Sequence, residues 1–256
     1  MTRPLWSAIT RLASRSAVPE SAQTETLHGF ETLRTMDTLQ RYNAWLWAQV
    51  SPSVGQRILE AGCGTGTFTR YLSTRQRVVS FDFDRHYVAM VREQHASDPN
   101  VRVEWADLAA AEWPDLSGEA LDTVVSMNVI EHLPDDKAVL RRFWELLQPG
   151  GRVVLLVPAH AQLYGAIDAA IGHYRRYDRA GFSKLLREAG FEVEKARYLN
   201  PTGVLGWYLN GRVLRRTTVP LGQATWYDRV YPVLSQLERL NLPFGLSVLA
   251  IGRKRL

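Results

Sequence analysis

The sequence predicts an α/β domain built on a doubly wound, largely parallel sheet. Three observations carry that expectation. The apolar run Ile58-Leu59 ends at Glu60 and leads into glycines at alternate positions, Gly62, Gly64 and Gly66. Phe68, Tyr71 and Leu72 then open a helical pattern. Further short apolar runs follow at strand–helix spacing, one ending at Asp82, one at Asp107 and one running from Asp122 to Asn128. Finally, the turn Pro149-Gly150-Gly151 introduces Val153 to Val157, the continuous apolar run expected of a strand buried on both faces.

Taken from the amino end, residues 1–27 are rich in Ser, Thr, Ala and Arg, with no acid before Glu20, and are expected as a flexible or helical arm. Leu5, Trp6, Ile9 and Leu12 could share one helical face, on the domain or on a membrane surface. Residues 28–256 are expected to form one domain. It opens with a helical pattern over 28–50 (Leu33, Met36, Leu39, Tyr42, Trp45, Leu46) and continues through a core over 56–199. Within that core a helix from Arg179 to Ala189, started by Asp178 or a neighbour, is closed by Gly190 and followed by a strand from Phe191. Residues 200–243 are an aromatic, apolar insertion with interspersed arginines, expected as one or two helices over the cleft. Residues 247–254 read as the last strand.

The glycine turn lets backbone approach a nucleotide-like ligand. A dinucleotide fingerprint needs G-x-G-x-x-G/A, and Thr67 stands where its third small residue belongs. The arrangement is instead acid-x-G-x-G-x-G, and the Glu60 carboxylate would repel a pyrophosphate. It suits a ligand with a cationic amino group. Asp82, at the end of the second strand, is placed to accept from ribose hydroxyls, with Asp84 as the alternative.

The run Glu60-Ala61-Gly62-Cys63-Gly64-Thr65-Gly66, followed by Asp82, Asp107 and the Pro149-Gly150-Gly151 turn, resembles the class I S-adenosylmethionine (SAM)-dependent methyltransferases over roughly residues 36–199. The resemblance implies a Rossmann-like sheet of seven strands with an antiparallel last strand, a helical N-terminal cap and a helical insertion before that last strand. It implies SAM as cofactor, leaving S-adenosylhomocysteine. The implied cofactor-binding positions are Tyr42, Glu60, Gly62, Gly64, Gly66, Asp82, Asp107, Leu108 and Asn128. Tyr42 would reach the methionine carboxylate, although its helix reads equally as a packed amphipathic one.

A sulfonium methyl group is already activated, so positioning supplies much of the rate, and a hydroxyl or ammonium acceptor needs a base as well. His173, in Gly172-His173-Tyr174-Arg175-Arg176-Tyr177, is the first candidate base and His132 the second. His160, Tyr164, Arg176, Tyr177 and Trp207 are candidate acceptor-binding residues. Some methyltransferases hold magnesium through Glu-x-x-Glu-His. Here those positions are Asn128, Glu131 and His132, with a neutral residue first, and no metal is expected.

The chain has 256 residues, 46% apolar content and a formal charge of +5. Cys63 is the single cysteine, which rules out an intrachain disulfide or a cysteine zinc site. No apolar run is long enough for a membrane span and no secretory signal pattern occurs, so cytoplasm, with peripheral contact at the inner membrane face through 200–243, is the expected location. There is no long basic stripe and no Asn/Asp-Pro-Pro-Tyr motif. Nucleic acid is therefore not an expected partner. In the C-terminal half, the Gly172–Tyr177 run, Asn-Pro-x-Gly-x-x-Gly-Trp-Tyr-Leu-Asn over 200–210 and Leu-Pro-Phe-Gly-Leu-Ser over 242–247 resemble bacterial methyltransferases of glycan, envelope and natural-product pathways, which implies a small-molecule or glycan- or lipid-linked acceptor. An RNA or protein methyltransferase and a non-catalytic SAM-binding subunit are the alternatives.

Overall fold

The computed structural model describes Gly29 and residues 31–255; the expectations for the 1–27 arm lie outside the described residues. Seven strands form one sheet: β1 (Arg57–Ala61), β2 (Arg77–Asp82), β3 (Val101–Trp105), β4 (Thr123–Met127), β5 (Arg152–Pro158), β6 (Glu192–Leu199) and β7 (Ser247–Arg253). Their order is β3-β2-β1-β4-β5-β7-β6. The strands β1 to β5 pair in parallel, and β7 runs antiparallel to both β5 and β6. This is the doubly wound sheet with an antiparallel last strand that the sequence predicts. The order reverses between β1 and β4, so the crevice for a ligand opens beyond the carboxyl ends of those two strands.

Side chains alternate across the sheet and bury both faces. On one, Leu59, Val79, Val124 and Val153 pack with Leu140 and Phe143 of a helix over Asp136–Leu146 and with Phe182 and Leu186 of a helix over Arg179–Glu188. On the other, Ile58, Val78, Val125 and Val154 meet Leu46 and Val50. Each such side chain contributes about 1.5–3 kcal/mol on burial.

The helices are α1 (residues 31–37), α2 (Gln40–Val50), α3 (Thr69–Leu72), α4 (Arg85–Gln94), α5 (Asp136–Leu146), α6 (Ala166–Ala170), α7 (Arg179–Glu188), α8 (Gly203–Trp207) and α9 (Leu221–Leu234). Aspartates start three of them by accepting a backbone N–H: Asp84 from His86, Asp135 from Ala138 and Asp178 from Gly181. Gly190, at φ +104°, follows α7 as expected.

Two elements depart from the sequence reading. The helix after the glycine turn is a single turn, because the Ser73 and Thr74 hydroxyls donate back to the Arg70 and Tyr71 carbonyls and compete with its continuation. The insertion also divides. Its first part, α8 continued by a π-helical turn over Tyr208–Val213, lies at the crevice, whereas α9 packs on α2 through Ala224 and Tyr231 on the second face of the sheet. The Asp228 carboxylate within α9 accepts the Tyr42 backbone N–H at 2.8 Å and fixes that packing.

Candidate active site

The chain leaving β1 hooks over the end of β2. The Gly62 and Cys63 N–H groups both donate to the Phe81 carbonyl, and the Gly64 N–H donates to Asp82 Oδ2 at 2.8 Å. Gly62, Gly64 and Gly66 all have positive φ, at 85°, 51° and 83°. A side chain at Gly62 would place its Cβ 2.3 Å from Val129 Cγ2, whereas at Gly64 the nearest atoms are those of Leu33, 3.7 Å away. Gly62 is therefore closed by protein, whereas a side chain at Gly64 would meet only the Leu33 side chain, at ordinary contact distance. The α1 helix roofs this turn: Asp37 accepts from the Thr67 hydroxyl at 2.7 Å, and Leu33 lies over Gly64.

Two carboxylates flank the turn. Glu60 is opposite Ser80 in the β1–β2 register, and its Oε2 accepts from the Ser80 and Thr69 hydroxyls, both at 2.7 Å. Burial raises its pKa to about 7, against those two hydrogen bonds. Asp82 is also pushed up by burial, while the Asp84 and Gly64 N–H groups oppose the rise. Asp84 caps α4 through Oδ1, which accepts the His86 N–H at 2.7 Å. Cys63 is buried within the turn, and burial pushes its thiol up so that it stays protonated. Asp107 accepts the Ala109 N–H in its own turn, Leu108 is buried behind it, and Asn128 is exposed at φ +56° at the mouth of β4.

The Tyr42 ring packs edge-on against Tyr231 at 5.0 Å and beside Trp45. Burial raises its hydroxyl to about 12, and Asn200 is its hydrogen-bonding neighbour. In this conformation Tyr42 belongs to the α2–α9 packing.

Val129, which closes Gly62, is followed directly by a second group of side chains. Glu131 is fully buried, and neither of its carboxylate oxygens has a hydrogen-bond partner among the described residues. Burial raises its pKa to about 8. The His173 Nε2 lies 3.7 Å from Glu131 Oε1, and the His132 and His173 rings meet edge-on at 4.7 Å. Burial, reinforced by His173, lowers His132 to about 4. Among the described residues, Glu131, His132 and His173 each offer a donor atom within 4.8 Å of one another, a donor set that would suit a divalent ion. The sequence expects no metal because its pattern lacks the first acid; His173, distant in sequence, supplies a third donor.

Behind this group sits Asp168, which sequence reasoning missed. It is fully buried and accepts from His173 Nδ1 at 2.8 Å, Arg176 Nε at 2.7 Å, the Gly165 N–H at 3.0 Å and Trp207 Nε1 at 3.1 Å. Burial pushes its pKa up, but the His173 and Arg176 contacts outweigh this and leave it lowered. An acid amid Ala166, Ile167, Ala169 and Ala170 was the one available signal. The Tyr164 hydroxyl donates to the His173 carbonyl at 2.8 Å, and the Arg176 guanidinium lies over the Trp207 ring. His173, Arg176, Tyr164 and Trp207 are thus gathered around one carboxylate.

His160 and Tyr177 stand apart. His160 stacks on Tyr198 beside the entry to β7, and the Tyr177 hydroxyl donates to Asp136 at 2.9 Å. Arg176 is occupied by Asp168 and the Ala159 carbonyl.

With this geometry in place, comparison with known proteins is decisive. A family model described as a methyltransferase domain matches residues 29–196. The chain belongs to this methyltransferase family. A probable S-adenosylmethionine-dependent methyltransferase of Mycolicibacterium smegmatis is 34% identical over 143 residues, 55% of this chain and 53% of that protein. The ubiquinone biosynthesis O-methyltransferase of Aeromonas salmonicida is 30% identical over 112 residues, covering 43% of this chain and 47% of the relative. The match thus spans about half the length of these curated relatives. Among solved structures, phosphoethanolamine N-methyltransferase 2 of Haemonchus contortus, in complex with S-adenosyl-L-methionine, superposes with a TM-score of 0.58 at 19% identity. That match covers 84% of this chain and 52% of the other. The methyltransferase domain of this chain therefore has the class I SAM-dependent fold, with its glycine turn at the switch point of the sheet.

Proposed function

We propose that the chain transfers a methyl group from SAM to a small organic acceptor, a hydroxyl or amino group on a saccharide, lipid-linked or natural-product intermediate. The observation that carries this reading is the adjacency of the glycine turn and the Glu131–His132–His173 group, joined through the Gly62–Val129 contact. The glycine turn with its three positive φ angles suits close approach of a nucleoside, and Asp82 and Glu60 offer carboxylates for ribose hydroxyls and for an ammonium.

When bound, SAM supplies the electrophilic methyl group. The chain's part is to hold the acceptor in line, exclude water and take a proton. Asp168 accepts the Nδ1–H of His173, which fixes the ring and leaves Nε2 as the proton-accepting nitrogen. Arg176 and Trp207 hold Asp168 from the other side, so the base is set by a buried scaffold rather than by a loop. His132 is neutral throughout the physiological range.

The test is transfer of a tritiated methyl group from SAM into fractionated bacterial extracts. Label in small-molecule, glycan or lipid fractions, with release of S-adenosylhomocysteine, supports the reading. Label confined to RNA or protein would replace it with the macromolecular alternative, and SAM binding without any transfer would leave a partner subunit.

One observation favours a second reading of the same site. The buried, unpartnered Glu131 carboxylate beside two imidazoles is the donor chemistry of a divalent ion, which would supply Lewis-acid polarisation of the acceptor oxygen. Calorimetric titration of the chelated protein with magnesium, manganese and zinc tests it. Binding lost in Glu131→Gln supports the metal, and no binding of any of the three leaves His173 as base alone.

A further inference from the structure

The insertion turns its apolar side outward. Of the 15 large hydrophobic side chains exposed among the described residues, 11 lie between Leu205 and Phe244. Soluble helices ordinarily do the reverse, burying the apolar stripe and presenting polar residues to water.

The inside holds Ala224 and Tyr231 in the core, and polar groups tie it together. Asn210 bonds the Gly206 carbonyl and the Gln223 side chain, and so ties the π-helical turn to α9. Thr202 and Tyr227 share a 2.6 Å hydrogen bond, and Tyr227 donates to Asn200. In α9 the buried positions are Ala224, Asp228 and Tyr231, whereas Trp226, Arg229 and Val233, spaced i, i+3, i+7, form an outward stripe. Leu205, Tyr208, Leu209 and Arg212 repeat that spacing along α8 and the turn after it, and all four are exposed.

The charges on this insertion are predominantly positive. Residues 200–244 carry Arg212, Arg215, Arg216, Arg229 and Arg239 against Asp228 and Glu238. Asp228 is engaged by the Tyr42 N–H and by Arg41, and Glu238 by the Asn200 N–H. None of the five arginines forms an ion pair within the described residues. Aromatic and aliphatic side chains projecting beside guanidinium groups that lack an ion pair match an anionic bilayer surface, which takes the first into its interface and the second at its headgroups; Arg212 and Arg216 each hold one hydrogen bond, to the Tyr164 carbonyl and to Asn210. No helix of the described residues is long and apolar enough to cross a membrane, so the element would lie on the surface.

From this juxtaposition we infer that the 205–244 surface docks the protein on anionic lipid. Trp207 is not part of the surface; its indole faces Asp168, so the docking element is anchored at one end to the candidate active site. The docking would bring the crevice to the bilayer plane, and only that consequence rests on the methyl-transfer reading.

The test is flotation of the full chain with vesicles of equal parts phosphatidylglycerol and phosphatidylcholine, and with phosphatidylcholine alone. The expected result is partitioning to the anionic vesicles that weakens with salt and is nearly absent with the neutral ones. Trp226→Ser/Val233→Ser should abolish it, and each of Arg215→Gln and Arg229→Gln should lower it about five-fold, all with unchanged circular dichroism and SAM affinity. Failure of the intact protein to float with anionic vesicles at low salt would overturn the proposal. So would a concentration-dependent dimer in sedimentation velocity that Trp226→Ser/Val233→Ser dissolves, which would make the patch a contact between copies. SAM affinity, measured in parallel, keeps failure of docking distinct from failure of the methyl-transfer reading.

Discussion

Glu60→Gln is the substitution with the most to say about the glycine turn. The Glu60 carboxyl is buried between Ser80 and Thr69, and burial moves its pKa from an ordinary 4.5 to about 7. Between those two values the folded carboxyl keeps a proton that the unfolded chain has released. Folding stability therefore falls as pH rises through that window, and above about 7 the full cost of burying the charge is present. A shift of this size corresponds to about 3 kcal/mol at most. Glutamine keeps the shape and an oxygen for both hydroxyls but carries no charge. The ligand-free variant should match the wild type at pH 4.5 and exceed its stability by up to about 3 kcal/mol above pH 7. Urea unfolding of both proteins across that range measures the difference. A difference that does not grow with pH, or a variant less stable above neutrality, would refute the reasoning. On the proposed reading, in which the Glu60 carboxylate meets the SAM ammonium, the same substitution should also weaken SAM.

Gly62→Ala and Gly64→Val separate packing from binding. The first meets Val129 and should cost about 1–3 kcal/mol of stability by thermal unfolding. The second should cost about 1–2 kcal/mol from its backbone angle yet remove SAM binding in calorimetry. Asp82→Ala should weaken SAM by about 1.5–3 kcal/mol and also loosen the turn, because the Gly64 N–H loses its acceptor. Asp168→Asn leaves the Arg176 charge buried without its partner and should destabilise the fold by about 3–5 kcal/mol. His173→Ala should lower turnover in a methyl-transfer assay with little change in SAM affinity, and unchanged turnover would remove it as the base.

The sheet was legible because buried parallel strands write themselves as short apolar runs, and because each is followed by the turn residues its crossover needs. The glycine turn, the placing of Asp82 at the end of β2 and the cap on α7 followed from local chemistry alone. What was not legible depends on distant contacts. Asp168 is polar in an apolar helix, and only tertiary structure shows that four donors converge on it. The place of His173 beside Glu131 and His132 needs its segment folded back onto the turn after β4, where the Tyr174 N–H donates to the Glu131 carbonyl. The amphipathic pattern of Tyr42 could not say which partner it meets, and Tyr231 of α9 answers that. Nor could the insertion's composition show that its second helix covers the sheet rather than the cleft.

Calorimetric titration with SAM and S-adenosylhomocysteine, with NAD as a control, addresses the cofactor site head-on. Micromolar binding of both adenosyl ligands, lost in Gly64→Val, and no binding of NAD is the predicted outcome. Binding of NAD in place of SAM, or SAM binding indifferent to Gly64→Val, would contradict the assignment of the glycine turn as the cofactor cradle.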